Sequence, residues 1–323
     1  MIRPAPRLTV SVVVPTCNRA SLLREALASI RALEGPDLAF EIIVGDNGRP
    51  GPGAEAAAEF GALHVAVARP GAGAARNAAL LRASAPYVAF LDDDDVWQPG
   101  HIRPHLRRLE AEPDLGIVFG QVVTTSQDLQ PVYGPWPADL PADGGALLRR
   151  MLSGYFPQVG ATVVRRSLVD SVGLFDEALL GDQDWDWQIR AVRRHRAGFV
   201  AVPCVHFRQR PPGTFDSLIA RRIHFTRLVF RRHAPALGVS RLAALRLYFA
   251  TVQGYYDAFL DGAQAHAARG DRRAAAGALF SAFRLMPHRA IKDAVRPTHL
   301  REALLAVVQA GRPLAAAAEP GTR

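Results

Sequence analysis

The sequence predicts an α/β chain, with an open, doubly wound sheet followed by a helical region. Short β-branched runs alternate with helical spacing over the first part of the chain, a pattern that builds a parallel sheet with right-handed crossovers. The run at residues 87–91 ends in Asp92, Asp93, Asp94 and Asp95. A buried strand that stops this way delivers charge to the carboxyl edge, where open α/β sheets bind ligands. From Ser217 on, no strand-like pattern remains.

Residues 8–14 form the first strand and end in Pro15-Thr16-Cys17-Asn18-Arg19. Leu22, Leu23, Ala26, Leu27 and Ile30 then follow helical spacing, with Ser21 expected as the N-cap. A second strand at 40–44 runs into Gly45-Asp46-Asn47-Gly48. An alanine-rich helix at 51–60, a strand at 63–68 and a glycine-led helix at 71–82 precede the aspartate strand. Past Pro99 the pattern is mixed: a helix at 101–110, a strand at 117–124, a proline- and glycine-rich mobile connection at 127–145, a strand at 161–164 and a stretch at 167–172 that leads into Gly173-Leu174-Phe175-Asp176. Helical segments follow at 218–234, 240–269, 272–286 and 300–310, with Gly270-Asp271 and Pro287 as breaks. The expected domains are residues 1–215, a helical region at 216–312 and a disordered tail at 313–323.

With 323 residues, 49% of them hydrophobic, the chain has ample material for a core. No stretch approaches the ~18 uninterrupted apolar residues of a spanning helix. The start does not read as a signal peptide, so the cytoplasm is the expected location, with the inner membrane face as a peripheral site. Cys17 and Cys204 are expected to be reduced. The formal charge is +9, nearly all from arginine, since Lys292 is the one lysine. The densest basic runs, 190–196 and 221–232, suit an anionic membrane surface at about 1 kcal/mol per basic residue. A solvated arginine-rich face is the competing explanation. No helix-turn-helix, zinc-finger or RNA-binding signature is present, so nucleic acid is not an expected partner.

The aspartates call for a cation. Two carboxylates about 4 Å apart repel by about 4 kcal/mol at an effective dielectric of about 20, so one is protonated or a metal is bound. Mg²⁺ and Mn²⁺ take such oxygen ligands, often with substrate phosphates completing the shell. The competing reading is a helix N-terminus, where acids satisfy unpaired N–H groups.

Four segments together resemble the family 2 glycosyltransferases: residues 12–19 (VVVPTCNR), 41–48 (EIIVGDNG), Ala75-Arg76-Asn77 and 90–95 (FLDDDD). The resemblance covers roughly residues 8–215. Each motif is weak alone, but their order and spacing are specific. It implies a GT-A fold, a Rossmann-like mixed sheet flanked by helices, here with a C-terminal helical extension. It also implies inverting, metal-assisted sugar transfer from a nucleoside-diphosphate sugar, with UDP expected as the nucleotide, to a glycan, lipid-linked or small-molecule acceptor.

Carried residue by residue, the resemblance gives nucleotide contacts to Pro15, Thr16 and Arg19, with a plain β-to-α turn as the alternative. Asp46 stands where relatives present an acid to the base or ribose. Asn47 replaces a second acid, and Asp46 could instead only form the turn. Arg76 would reach the diphosphate with its planar fork. Asp92 and Asp94 match the Asp-x-Asp pattern better than Asp93 and Asp95, because Pro99 then falls five residues after Asp94, as in relatives. Asp94 would ligate the metal. Asp92 would bind the ribose, or the metal through water, while Asp93 is counted with the nucleotide contacts.

Residues 181–190 (GDQDWDWQIR) resemble the family's segment bearing the base. Asp184 is the expected catalytic base, with helix capping by Asp184 or Asp182 as the alternative, and Gln183 replaces a neighbouring acid. Trp185 and Trp187 are candidates to stack on the acceptor, one of them being expected in the core. Residues 205–214 resemble a segment that closes over the diphosphate. Arg210 stands in place of a histidine there, and His206 is the fallback metal or phosphate contact. The rival readings are a nucleotide-sugar-binding module without turnover and a nucleotidyltransferase. The latter would need a basic glycine-rich loop where this chain offers only Arg19.

Overall fold

The computed structural model of the chain describes residues 8–210, 212–213, 216–294 and 299–309. The expected tail at 313–323, and Pro211 and Thr214 of the closing segment, lie outside them. The chain opens with β1 (Leu8–Thr16), α1 (Ala20–Arg31), β2 (Leu38–Asp46), α2 (Pro52–Glu59), β3 (Leu63–Ala66), α3 (Ala72–Leu80) and β4 (Tyr87–Phe90). β1 pairs in parallel with both β2 and β4, and β2 with β3. Val10, Val12, Val13 and Val14 are all buried, as a central parallel strand covered on both faces requires. α1 covers the sheet with Leu23, Ala26, Leu27 and Ile30. It begins one residue before Ser21, with Arg19 at the cap position and no side-chain cap.

After β4 come β5 (Val96–Trp97), α4 (Arg103–Ala111), β6 (Leu115–Thr125), β7 (Pro131–Trp136), α5 (Gly144–Met151), a short 3-10 turn, β8 (Thr162–Arg165), α6 (Arg166–Val172), α7 (Gln183–Val192) and β9 (Arg196–Arg208). The strands form one sheet in the order β3-β2-β1-β4-β8-β6-β9-β5, with β7 beside β6. β8 runs antiparallel to β4 and β6, so the sheet is mixed. One sequence expectation is corrected here: the 127–145 connection holds β7 and the start of α5. β5 and β9, the latter a long strand parallel to β6, had no counterpart in the sequence pattern.

The chain then continues as α8 (Asp216–His233), α9 (Arg241–Ala268), α10 (Arg272–Leu285), α11 (Pro287–Ala294) and α12 (His299–Gln309). By its contacts it divides into two compact units. The first comprises Met1–Gln209 and Phe225–Val239, the second Arg210–His224 and Ser240–Arg323. In the second, Tyr256, Phe259, Leu260 and Ala263 of α9 pack with Ala278, Leu279 and Ala282 of α10 and Leu300 and Ala303 of α12. The Gly270-Asp271 break works as expected: Asp271 caps α10 by accepting from the Ala274 N–H at 3.0 Å. No helix among the described residues is long and apolar enough to cross a membrane.

Candidate active site

Parallel pairing sets the carboxyl ends of β1, β2 and β4 on one edge, with Thr16 opposite Asp46 and Val13 opposite Phe90. The aspartates follow β4 in a tight turn, closed by the Asp95 N–H donating to the Asp92 carbonyl at 3.1 Å. They do not start a helix, since α4 begins only at Arg103. The turn sorts them by exposure. Asp93 and Asp95 are buried, while the side chains of Asp92 and Asp94 keep 26% and 20% of their surface.

Asp93 is engaged inside the protein. One oxygen accepts from the Thr16 hydroxyl at 2.7 Å and from Arg19 Nε at 3.1 Å, and the other pairs with the same guanidinium at 2.5 Å. Burial lifts its pKa to about 6 against the pull of Arg19 and Thr16. Through Thr16 it anchors the turn to β1. Thr16 and Pro15 are buried as well, which leaves Arg19 as the half-exposed member of that group. Arg19 also pairs with Asp94 at 2.6 Å.

Asp95 ties the turn to distant elements. Its oxygens accept from Gln158 Nε2 at 2.9 Å and from the Arg208 N–H at 3.0 Å. Burial pushes its pKa well up. Arg208 in turn pairs with Glu25 of α1.

Arg76 comes from α3 and pairs with Asp92. Burial alone would lower its pKa, but the charges of Asp92 and Asp184 outweigh that and raise it. Asp92 is pushed up by burial and by Asp94 and Asp184, against Arg76. The structure thus brings Asp92, Arg76 and Asp184 into one electrostatic neighbourhood.

At the end of β2, Asp46 accepts from the Gly48 N–H at 2.8 Å and lies 3.1 Å from His64 Nε2. A Cβ on Gly53 would overlap its carboxylate. Asp46 therefore does form the turn. Asn47 donates to the Gly71 carbonyl at 3.0 Å, linking the β2 loop to the start of α3.

Asp184 lies in the first turn of α7 and is half-buried. It does not cap the helix, because its oxygen accepts from the next N–H, that of Trp185, at 2.9 Å. Nor does Asp182 cap it: that residue takes a left-handed conformation and accepts from Thr226. Both tryptophans belong to the core, which corrects the stacking expectation. Trp187 stacks on Phe175 at 5.1 Å, Trp185 meets Phe156 in a tilted contact at 4.5 Å, and each is at most 1% exposed.

His206 sits on β9 opposite Val96 and is outside the acidic group. Burial lowers its pKa. Arg210 is exposed and is the first residue of the second unit. Part of the basic surplus expected to face a membrane is engaged elsewhere: Arg232 pairs with Asp176 and Asp186, both at 2.9 Å.

Three contributors had no role assigned from the sequence. Asn77 clamps the loop before α7, accepting from the Phe175 N–H at 2.9 Å and donating to its carbonyl and to Glu177. Its position beside Arg76 was a signal. Gln158 stands 63 residues from Asp95 and carried none; Gly53 follows Asp46 by seven residues, but its role shows only in the close approach of α2 to that carboxylate.

One oxygen each of Asp92, Asp94 and Asp95 lies within 4.8 Å of the others. Hard oxygen donors at this spacing fit Mg²⁺ or Mn²⁺. Since Asp95 is held by Gln158 and Arg208, Asp92 and Asp94 are the members in contact with solvent.

Residues 11–171 match the family model described as glycosyl transferase family 2. An uncharacterized glycosyltransferase of Bacillus subtilis, YwdF, is 31% identical over 61% of this chain and 72% of its own. A pre-mycofactocin glycosyltransferase of Mycobacterium tuberculosis is 31% identical over 56% of this chain, which spans 38% of that protein. Among solved structures, S. aureus TarS 1–349 in complex with UDP aligns over 94% of this chain and 89% of its own, with a TM-score of 0.55 and 15% identity. The mannosyltransferase PcManGT of Pyrobaculum calidifontis, in complex with GDP-Man and Mn²⁺, covers 95% and 87%, with a TM-score of 0.53 and 19% identity. At these identities the likeness concerns the fold.

Proposed function

This chain belongs to glycosyltransferase family 2 and has the GT-A fold, and from that premise we propose that it performs inverting transfer from a nucleoside-diphosphate sugar to an acceptor hydroxyl. The observation that carries the reading is the shared field of Asp184, Arg76 and Asp92. It sets a carboxylate on α7 beside the cationic and acidic groups suited to a diphosphate.

In this reading Arg76 and Arg19 orient the diphosphate, a task for which the guanidinium fork is well shaped. Asp94 with Asp92 would hold Mg²⁺ or Mn²⁺, which when bound would offset the charge of the leaving diphosphate. Asp46 and Asn47 face the nucleoside. Asp184 takes the acceptor hydroxyl's proton as that oxygen attacks the anomeric carbon from the face opposite the leaving group, and this inverts the centre. Arg210, with His206 as the alternative, would meet phosphate charge. The catalytic domain is assigned to residues 1–215. The donor is a UDP-sugar in this proposal, in keeping with the UDP complex of a fold neighbour.

The acceptor is a glycan or lipid-linked intermediate, reached from an anionic cytoplasmic membrane face by the arginines of α8. Neutralising the exposed Arg221 and Arg231 is expected to reduce partitioning onto anionic vesicles; unchanged partitioning would remove this part of the proposal.

Titration calorimetry with UDP, GDP and dTDP in the presence of Mn²⁺ tests the core of the reading. UDP is expected to bind most tightly, and Asp184→Asn to bind it as well as the wild type while losing transfer. Absence of binding by all three nucleotides would overturn the proposal.

A further inference from the structure

A second group of metal-ligand residues lies in the core of the first unit, away from the acidic edge. His101 precedes α4, His105 lies on it and Cys204 comes from β9. All three are buried, at 1%, 0% and 0% exposure. One donor atom from each lies within 4.8 Å of the others. The two imidazoles meet edge to face with centroids 4.7 Å apart.

Hydrogen bonding accounts for the cluster only in part: the Cys204 thiol donates to the Val202 carbonyl at 3.0 Å, whereas the imidazoles keep nitrogens without partners. His105 Nε2 lies 3.3 Å from the Ala161 carbonyl. A carbonyl only accepts, so Nε2 carries the proton and Nδ1 presents a lone pair, which has no partner. That is the arrangement of a metal-ligating histidine, whose second nitrogen is fixed by a backbone carbonyl. His101 makes no hydrogen bond of good geometry. Its neighbouring carbonyl, Gly160, accepts from Trp97 Nε1 at 2.9 Å. Buried nitrogens without partners are rare in folded proteins and call for an explanation.

The cluster packs directly against the backbone of β6. A Cβ on Gly120 of β6 would overlap the Cys204 sulfur and come within 2.9 Å of His105 Cε1.

We propose that His101, His105 and Cys204 form a structural Zn²⁺ site that fastens the start of α4 to β9. Two imidazoles and a thiolate suit a borderline-soft d¹⁰ ion, with a fourth position for water or a backbone carbonyl. Zinc holds such ligands at about 2.0–2.3 Å, so the present spread contracts on binding. As the Zn–S bond forms, the Cys204 thiol releases its proton to solvent. No electron is exchanged, and binding weakens as pH falls. β9 also carries Arg208, whose N–H holds Asp95, so the site braces the strand behind the acidic turn. The inference does not depend on the proposed sugar transfer.

The test uses the full chain, stripped with chelator and dialysed against Zn²⁺, with metal content measured by mass spectrometry. About one zinc per chain is expected in the wild type and in a double variant Asp92→Asn/Asp94→Asn, with at least about tenfold weaker retention in Cys204→Ser. Co²⁺ substituted into the wild type is expected to give thiolate-to-cobalt charge-transfer absorption. This readout is independent of whether a variant folds. A wild type that retains no zinc, a cobalt form without that absorption, or undiminished zinc in Cys204→Ser would each overturn the proposal.

Discussion

Arg76, only 2% exposed, reaches from α3 to pair with Asp92 at the end of β4. A guanidinium is placed in such a site at a desolvation cost, which is offset only by the acids around it. Its Nε and one Nη are buried without a hydrogen-bond partner.

Arg76→Ala should therefore destabilise the fold by about 3 kcal/mol, the cost of leaving one partner of a buried pair uncompensated. Arg76→Lys should recover much of that loss, because the charge returns. It should not recover nucleotide affinity, because the two-pronged geometry does not return with it. Denaturant melts and nucleotide titrations on the two variants separate these effects. Equal affinity for wild type and Arg76→Lys would remove Arg76 from the diphosphate site.

Asp93 and Asp184 should fail in opposite ways. Asp184→Asn leaves its surroundings folded and removes the proposed base, so transfer is expected to fall by about 10²–10⁴-fold with stability nearly unchanged. Asp93→Asn keeps the size of the side chain but weakens its bonds to Thr16 and Arg19, so stability should fall by about 1–3 kcal/mol. Arg19, no longer fixed, would then loosen nucleotide binding as a secondary effect. Paired activity and unfolding measurements check this; a stable, inactive Asp93→Asn would contradict it.

Gly53 permits the close approach of α2 to Asp46. Gly53→Ala improves helix propensity by about 1 kcal/mol in general, yet here the methyl would displace the Asp46 carboxylate. Its bonds to the Gly48 N–H and His64 would be lost, and the net effect should be destabilising with weaker nucleotide binding. A Gly53→Ala variant that is more stable and binds as before would show that Asp46 can move without consequence.

How far the site was legible depended on whether a residue's partner was close in sequence pattern. β1, α1 and β4 declared themselves through unbroken valine runs and three- and four-residue spacing, since burial dictates those patterns directly. The edge holding Thr16, Asp46 and Asp92 followed, because parallel strands must end together. β9 did not declare itself, for its exposure alternates irregularly and Pro203 interrupts it; it is held as a strand by β6, some eighty residues away in the chain. Within the tetrad, four identical side chains carry no information about their own directions. Only the turn decides that Asp93 and Asp95 face inward, towards Arg19 and Arg208.

The last prediction concerns Asp186, two residues beyond the proposed base. It is wholly buried and accepts from Arg190 Nε and Arg232, each at 2.9 Å, with His233 Nε2 also at 2.9 Å. Burial pushes its pKa up, but the bond from His233 and the charge of Arg190 outweigh it and bring it to about 2. A folded value below the unfolded value of about 3.9 means the carboxylate stabilises the fold at any pH above about 4. That contribution fades as pH falls towards about 2. Arg190 and Arg232 keep part of their surface in water, so Asp186→Asn should cost about 2 kcal/mol near neutral pH rather than the full loss of a sealed pair. Urea midpoints measured from about pH 7 down to about pH 2 should show the gap between wild type and variant holding to about pH 4 and closing below it. A gap that stays constant across that range would mean that the packing of Asp186, and not its charge, joins α7 to the end of α8.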